Sequence, residues 1–196
     1  MSKKLQLDLD SVLAEAWRLV QLGATDRNSA FHLPTVATVT RDGMPNLRTV
    51  VLRGADPDRR SLRFHTDRRS AKFEELGQIS QYALHVYDPA IQTQIRLSGT
   101  GEIHHDDIEA KSAWDGSAAM SRLCYAAPDG PGAVVPAPPA APRLEDVAEG
   151  AGYENFCAVI LHVDRLEWLH LAASGHQRAR FVWDASGNRS GEWLAP

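Results

Sequence analysis

The sequence predicts a mainly β protein, a closed or nearly closed barrel with short flanking helices. Three observations carry this expectation. About eight short segments rich in Val, Thr and Ile recur between Pro34 and Trp183; clusters of Gly, Pro, Asn and Asp separate them at short intervals; and helical spacing of apolar residues is confined to a few brief stretches. With 196 residues and 43% hydrophobic composition, the chain can form one sizeable core, since a chain somewhat past 150 residues buries about 70% of its unfolded surface. A single domain over residues 1–196 is expected.

The elements follow in order. Asp10 and Ser11 precede Val12, Leu13, Ala16, Trp17, Leu19 and Val20, a three-and-four spacing that places the apolar groups on one helical face, with Gly23 where a left-handed cap would sit. Pro34–Thr40 and Leu47–Arg53 flank an Asp42-Gly43 turn signal and read as a hairpin. After the polar stretch 55–60, Leu62, Phe64 and Thr66 share one face of a strand, with Arg63 and His65 on the other. Ser70 opens a short helix through Leu76. Tyr82–Tyr87 and Gln94–Ile103 are further strands, and a charged helical segment runs from Asp106 to Trp114. Residues 126–142 hold six of the eleven prolines, which removes backbone donors and fixes φ, so a long loop is expected at about 126–143. Phe156–Val163, Arg165–Leu171 and Gln177–Trp183 complete the expected strands, with a turn at 184–188.

Composition narrows the function. Twenty-one basic against 25 acidic side chains give a formal charge of −4, which provides no overall basic field for nucleic acid or anionic lipid. The longest apolar run, Phe156–Leu161, is six residues, far short of the roughly 20 that span a bilayer. The start MSKKLQLDLD has no apolar leader core, so a soluble, cytoplasmic protein is expected. Cys124 and Cys157 are too few for a four-cysteine zinc site or a disulfide framework, and are expected to be reduced, buried thiols.

Phosphate-loop, His-Glu-x-x-His and Gly-x-Ser-x-Gly signals are missing from the sequence. His104-His105-Asp106-Asp107 is the densest group of metal-ligand residue types, but adjacent side chains at a strand end diverge, and a solvated turn is the expected reading; no metal is assigned. Arg48-Thr49-Val50-Val51-Leu52-Arg53 is more informative. On a strand, Arg48, Val50 and Leu52 face one way and Thr49, Val51 and Arg53 the other, so a cation enters each face of a segment otherwise fit for a core. Either the strand lies at a sheet edge with both arginines in water, or the guanidiniums hold a phosphate or carboxylate through paired hydrogen bonds. Phe64–Phe73 is a strand running into a helix whose first turn carries Ser70 and Lys72. Exposed amides and Lys72 could hold a phosphate there; alternatively Ser70 merely caps the helix and Lys72 is solvated.

These two segments, with His65 seventeen positions after Arg48, together with Gln92-Thr93-Gln94-Ile95-Arg96-Leu97-Ser98-Gly99, His176-Gln177-Arg178-Ala179-Arg180-Phe181 and the ending Gly191–Pro196, resemble in order and spacing the pyridoxamine 5'-phosphate oxidase family of FMN-binding split barrels. The resemblance covers most of residues 34–196 outside the proline-rich loop. It implies a six-stranded, Greek-key-like split barrel in a homodimer, with FMN in two clefts between subunits. Arg48 and Lys72 would bind the FMN phosphate, and the backbone of Thr49, Val50, Val51 and Leu52 would run beside the isoalloxazine ring. His65 and Thr66 match a Tyr-Thr pair lining the flavin, Gln94 matches a glutamine contacting it, and Arg180 matches an arginine that reaches the ring from the other subunit. Orientation and electrostatics would come from the protein, redox chemistry from the flavin.

Departures from the family pattern concentrate on the substrate side. Arg53 stands where the oxidase has a lysine touching the substrate phosphate. Ala71-Lys72 replaces Arg-Lys. The substrate-binding Tyr, Arg and Ser retain at best Ser121, His176-Gln177-Arg178 replaces Arg-Leu-His, and Leu169 beside Trp168 replaces a flavin-side Trp. An FMN-dependent oxidoreductase acting on a small anionic substrate, held by Arg53, Ser121, His176 and Arg178, is therefore expected rather than the vitamin B6 oxidase itself. No side chain is assigned as acid or base. The alternatives are a flavin-dependent reductase using a nicotinamide or deazaflavin donor, or a non-catalytic binder of flavin or haem.

Overall fold

A computed structural model describes residues 8–140 and 142–196. Residues 1–7, which carry most of the expectation of no apolar leader, and residue 141 of the proline-rich loop lie outside the described residues. Helix α1 spans Leu9–Thr25, with Asp8 accepting from the Ser11 amide at 2.8 Å as its N-cap. It continues through Gly23 instead of ending there. A Cβ at Gly23 would lie 2.3 Å from the Phe31 carbonyl oxygen, so this glycine admits the 3-10 turn Ala30–His32 against the helix. The face made by Val12, Leu13, Ala16, Trp17, Leu19 and Val20 is buried.

The strands are β1 (Thr35–Val39), β2 (Pro45–Thr49), β3 (Leu52–Asp56), β4 (Ser61–Asp67), β5 (Gln81–Asp88), β6 (Thr93–His104), β7 (Phe156–His170), β8 (Gln177–Trp183) and β9 (Arg189–Leu194). They form one antiparallel sheet in the order β2-β1-β5-β6-β7-β4-β3, with β8 on β7 and β9 on β8. Helices α2 (Ala71–Gln78), α3 (Ile108–Asp115) and α4 (Ala119–Arg122) lie between strands. The expected mainly β barrel class is what the structure shows.

Three strand expectations need correction. The segment expected as one strand over Leu47–Arg53 is divided between β2 and β3, which lie at opposite ends of the seven-strand path. Only Val50 and Val51 join them, and a link of that length spans about 10 Å. The path must therefore curl until its ends approach, which closes the barrel. Second, Phe156–Val163 and Arg165–Leu171 fall on one continuous strand, Phe156–His170, because the lone Asp164 between them does not end it. One edge of β7 pairs with β6 throughout; the other pairs with β4 over 156–162 and with β8 over 165–170. The sheet splits where β7 changes partner. The β6 bulge between Ser98 and Gly99 sits opposite that point, and a Cβ at Gly99 would stand 2.0 Å from the His162 carbonyl oxygen. Third, β9 was not expected, because its polar, exposed sequence has no apolar alternation.

The barrel interior holds Val36, Leu62, Phe64, Leu84, Ile95, Leu97, Val159 and Leu161, closed over by α1 and Phe181. Each such side chain contributes roughly 1.5–3 kcal/mol by leaving water. A smaller cluster joins Trp114, Tyr125, Phe156 and Ala158 beneath the proline-rich loop. Cys157 is buried but Cys124, expected to be buried, is exposed; it lines an open apolar groove with Pro128, Pro139 and Pro142, which cannot pack as regular structure does. Among the described residues, no helix is long and apolar enough to cross a membrane.

Candidate functional site

Strand β2 alternates, with Pro45, Leu47 and Thr49 exposed and Asn46 and Arg48 half-buried on the inner side. There they meet Glu75, one turn into α2. Arg48 Nη2 donates to Glu75 Oε2 at 2.8 Å, Asn46 Nδ2 donates to Oε1 at 2.8 Å, and Thr38 bridges Arg48 and Glu75 through its hydroxyl. Burial raises the Glu75 pKa, but the hydrogen bonds from Thr38, Asn46 and Arg48, with the Arg48 charge, outweigh it and hold the carboxyl below its usual range. Each of the two readings of Arg48 is therefore half right. It stands on an end strand and an anion meets it, but that anion belongs to the chain.

Lys72 lies beside this pair. Its Nζ donates to Thr66 Oγ1 at 3.1 Å, and Thr66 Oγ1 is 3.0 Å from Ser70 Oγ. Burial, then the charge of Arg48, push the Lys72 pKa below its ordinary value; Asp67 and Glu75 pull the other way without touching it. Asp67 is held by Arg69 at 2.7 Å and Glu75 by Arg48. Among the described residues Lys72 makes no ion pair, so it is a half-buried ammonium and not the solvated one considered above. Ser70 occupies the N-cap position of α2 but makes no side-chain cap bond; its hydroxyl donates to the Asp67 carbonyl at 2.7 Å.

Around the cradle stand Val50 and Leu52, both buried, Thr49, which is exposed, and Val51 and Arg53, both half-buried. His65 shares β4 with Thr66 and faces the opposite side. Burial, then Arg63 and Arg53, push the His65 pKa down to about 3. The charge of Arg53 also acts on Cys124 and Tyr125, and Ser121 in α4 is half-buried.

The remaining expected site residues lie elsewhere. Gln94 Oε1 bonds His85 Nε2 at 3.1 Å, Arg178 Nη2 donates to Glu167 at 2.7 Å, Arg180 Nη2 donates to Glu192 at 2.6 Å, and His176 is exposed before β8. His65 pairs with Ala158, whereas Gln94 and Arg178 both pair with Leu169, eleven residues further along β7. At about 3.3 Å per residue this is roughly 35 Å. His65 and the Gln94–Arg178 pair therefore lie toward opposite ends of β7.

Sequence reasoning missed Glu75, Asn46 and Thr38. Glu75 left a signal, since it stands three residues after Lys72 and so shares its helix face. The His104 and His105 side chains go separate ways, Nδ1 of one to Asp107 at 2.9 Å and Nδ1 of the other to the Phe156 carbonyl at 3.0 Å.

Residues 14–105 match the family model of the pyridoxamine 5'-phosphate oxidase FMN-binding domain. An Arabidopsis thaliana pyridoxine/pyridoxamine 5'-phosphate oxidase 2 is 26% identical over 191 residues, covering 91% of this chain and 94% of that one. A pyridoxamine 5'-phosphate oxidase-related FMN-binding protein of Nostoc punctiforme superposes with a TM-score of 0.74 at 25% identity, over 98% of this chain and 99% of that one. Over residues 14–105 the chain is similar to the pyridoxamine 5'-phosphate oxidase FMN-binding domain, and its fold is the split barrel of such proteins. A Roseobacter denitrificans pyridoxine/pyridoxamine 5'-phosphate oxidase is 33% identical over 112 residues, 57% of this chain and about half (53%) of that one. PhzG of Burkholderia lata, at 19% identity and a TM-score of 0.70 over 98% of this chain and 95% of that one, shares the split-barrel fold. The stretch matched by the family model contains Arg48, His65, Lys72 and Gln94; Ser121, His176, Arg178 and Arg180 lie beyond it.

Proposed function

We propose that this chain binds FMN between two copies of itself and acts as a flavin-dependent oxidoreductase on a small anionic substrate other than pyridoxamine phosphate. The observation that carries the reading is Lys72, a half-buried ammonium beside Arg48 without a contacting carboxylate. A charge so placed is stable only when an anion completes its shell. A phosphate monoester fits, because Lys72, Arg48 and the free amides opening α2 offer donors to an anion. Val50, Val51 and Leu52 provide an apolar wall suited to a flat ring.

When bound, FMN supplies two-electron redox chemistry. The residues of the chain bind and orient: Lys72 and Arg48 fix the phosphate, Glu75 holds the Arg48 fork in place, and the half-buried Arg53 attracts an anionic substrate toward the flavin. Arg178, Arg180 and Gln94 of a second copy complete the cleft, since in one chain Gln94 and Arg178 stand eleven residues along β7 from the register of His65. The changed substrate-side residues, Arg53 and His176-Gln177-Arg178 above all, support a substrate other than that of the oxidase.

The test is complementation. Lys72→Met and Arg180→Ala variants should each bind FMN weakly as homodimers. Co-refolded, each mixed dimer should regain one cleft of wild-type affinity, seen by flavin fluorescence quenching, because one cleft then carries both native residues. If the mixture binds no better than its components, the cleft is not shared. A colourless protein that also refuses added FMN removes the flavin reading. Rapid anaerobic bleaching of bound FMN by a reduced nicotinamide would instead assign a reductase, and a Soret band a haem binder.

A further inference from the structure

The two nitrogens of His65 are in different situations. Nδ1 lies 3.4 Å from Ser117 Oγ, and the Ser117 hydroxyl donates its single proton to the Ala113 carbonyl at 2.7 Å. Toward His65 this oxygen can only accept, so Nδ1 carries the ring proton and Nε2 presents a bare lone pair. Nε2 is buried and has no partner among the described residues. The ring is held edge-on against Phe156 at 4.9 Å, so it does not turn freely to satisfy itself. Nor does it take up a second proton near neutrality. The groups that act on it are Arg63 on its own strand, Arg53 from β3, Ser117 after α3 and Phe156 from β7; burial and the two guanidiniums disfavour the imidazolium.

A buried acceptor left empty is unfavourable, and two nearby cations repel a cationic donor. What fits is an uncharged O–H or N–H. Resting on the FMN reading, we propose that His65 is a fixed neutral hydrogen-bond acceptor for the flavin, its Nε2 taking a hydrogen bond from an uncharged donor of the coenzyme. Oxidised FMN offers two such sources, the N3–H of its ring and the ribityl hydroxyls. The role depends on an imidazole whose tautomer is set from outside the flavin site, by a serine at the end of α3.

The test is histidine 15N NMR on the full chain, without and with FMN. Without FMN, His65 should show a protonated Nδ1 and a pyridine-type Nε2 throughout about pH 5 to 8, where an ordinary histidine titrates. On adding FMN, the Nε2 resonance should move toward its hydrogen-bonded position. With 3-methyl-FMN, loss of that movement assigns the donor to N3–H, and its persistence assigns it to a ribityl hydroxyl. His65→Phe, which keeps the ring against Phe156, should weaken FMN binding about tenfold, the usual worth of one such bond, and His65→Gln, which retains an acceptor, should recover most of the loss. A protonated Nε2 in the free protein, or titration within that range, overturns the tautomer. FMN binding without any Nε2 response overturns His65 alone and leaves the FMN reading intact, whereas no binding at all overturns both.

Discussion

Replacing Lys72 by Met should move stability and affinity in opposite directions. The stem keeps its packing while the ammonium, its hydrogen bond to Thr66 at 3.1 Å and its repulsion from Arg48 are removed. Thr66 retains Ser70 as a partner at 3.0 Å, so little hydrogen bonding is lost. The folded-state pKa of Lys72 lies below its unfolded value of 10.5, which means that the charged form is worse off in the fold than in water. That penalty is fully present at neutral pH and is relieved as pH rises to about 10.5. The variant apoprotein should therefore melt slightly higher than the native apoprotein at pH 7, and the advantage should shrink at alkaline pH. FMN binding should suffer, because a charge-assisted hydrogen bond to phosphate contributes about 1.5–3 kcal/mol, a roughly ten- to hundredfold loss in Kd. Differential scanning fluorimetry across pH and a flavin fluorescence titration measure both quantities. A variant that binds FMN within twofold of the native protein, or an apoprotein that melts several degrees lower, would refute the reasoning that an anion is what Lys72 lacks.

Glu75→Gln should act in the contrary sense on stability. It leaves Arg48 half-buried without its carboxylate and sets an amide N–H either against the Asn46 donor or against those of Thr38 and Arg48, so urea unfolding should show a loss of about 2–4 kcal/mol; an unchanged midpoint would mean that the ion pair contributes nothing. Two glycines should separate sharply: Gly99→Ala drives a Cβ to 2.0 Å from the His162 carbonyl oxygen at the bulge and should abolish soluble expression, whereas Gly77→Ala, whose nearest neighbour is 4.0 Å away within α2, should stabilise by about 0.5–1 kcal/mol. Equal effects of the two substitutions would contradict the close approach at the sheet split.

Most of the barrel was legible because its strands are written in alternation. Leu62, Phe64 and Thr66 inward against Arg63 and His65 outward is a period of two that survives intact in β4. The limits of β2 and β3 were not legible, because the change of partner at Val50-Val51 is a long-range event in a locally uniform Val-rich run. Likewise the division of β7 between β4 and β8 is a change of partner that Asp164 marks only as an apparent break between two strands. The cradle was legible in its cations, since Arg48 and Lys72 break apolar or helical patterns where they stand. Its anion was not: Glu75 reads as one more solvated helix carboxylate until the fold turns that face of α2 onto β2. Ser117, which sets the His65 tautomer, carried no signal at all, because a serine after a helix is ordinary and its contact crosses 52 positions of sequence.

On the proposal that FMN binds between two copies, the closure that makes the barrel also sets which residues each copy would contribute. Joining β2 to β3 through two valines draws Arg48, Lys72, His65 and Arg53 around the barrel's seam, while the split of β7 sends β8 and β9 away from it, carrying Arg178 and Arg180 off with them. Neither group can migrate along a continuous antiparallel sheet without breaking its register. An isologous two-fold contact solves the geometry, because a surface that brings one copy's seam to the other's β6–β8 face does the same in reverse and builds two equal clefts at once. The outer face between the groups has the character such a contact needs. Leu47 is 62% exposed beside Arg48, and with Thr35, Ala37 and Ala83 it borders a cavity of about 190 Å³ that ends at Arg96, Arg165 and Glu167. Apolar groups at its centre and paired charges at its rim are the arrangement that lets a buried patch exclude water while the rim fixes orientation. On that proposal, binding of the coenzyme and association of the copies would be one equilibrium: an anion held by Lys72 of one chain and the Arg178–Arg180 face of the other would draw the two copies together, so FMN affinity should rise with protein concentration until the dimer is complete.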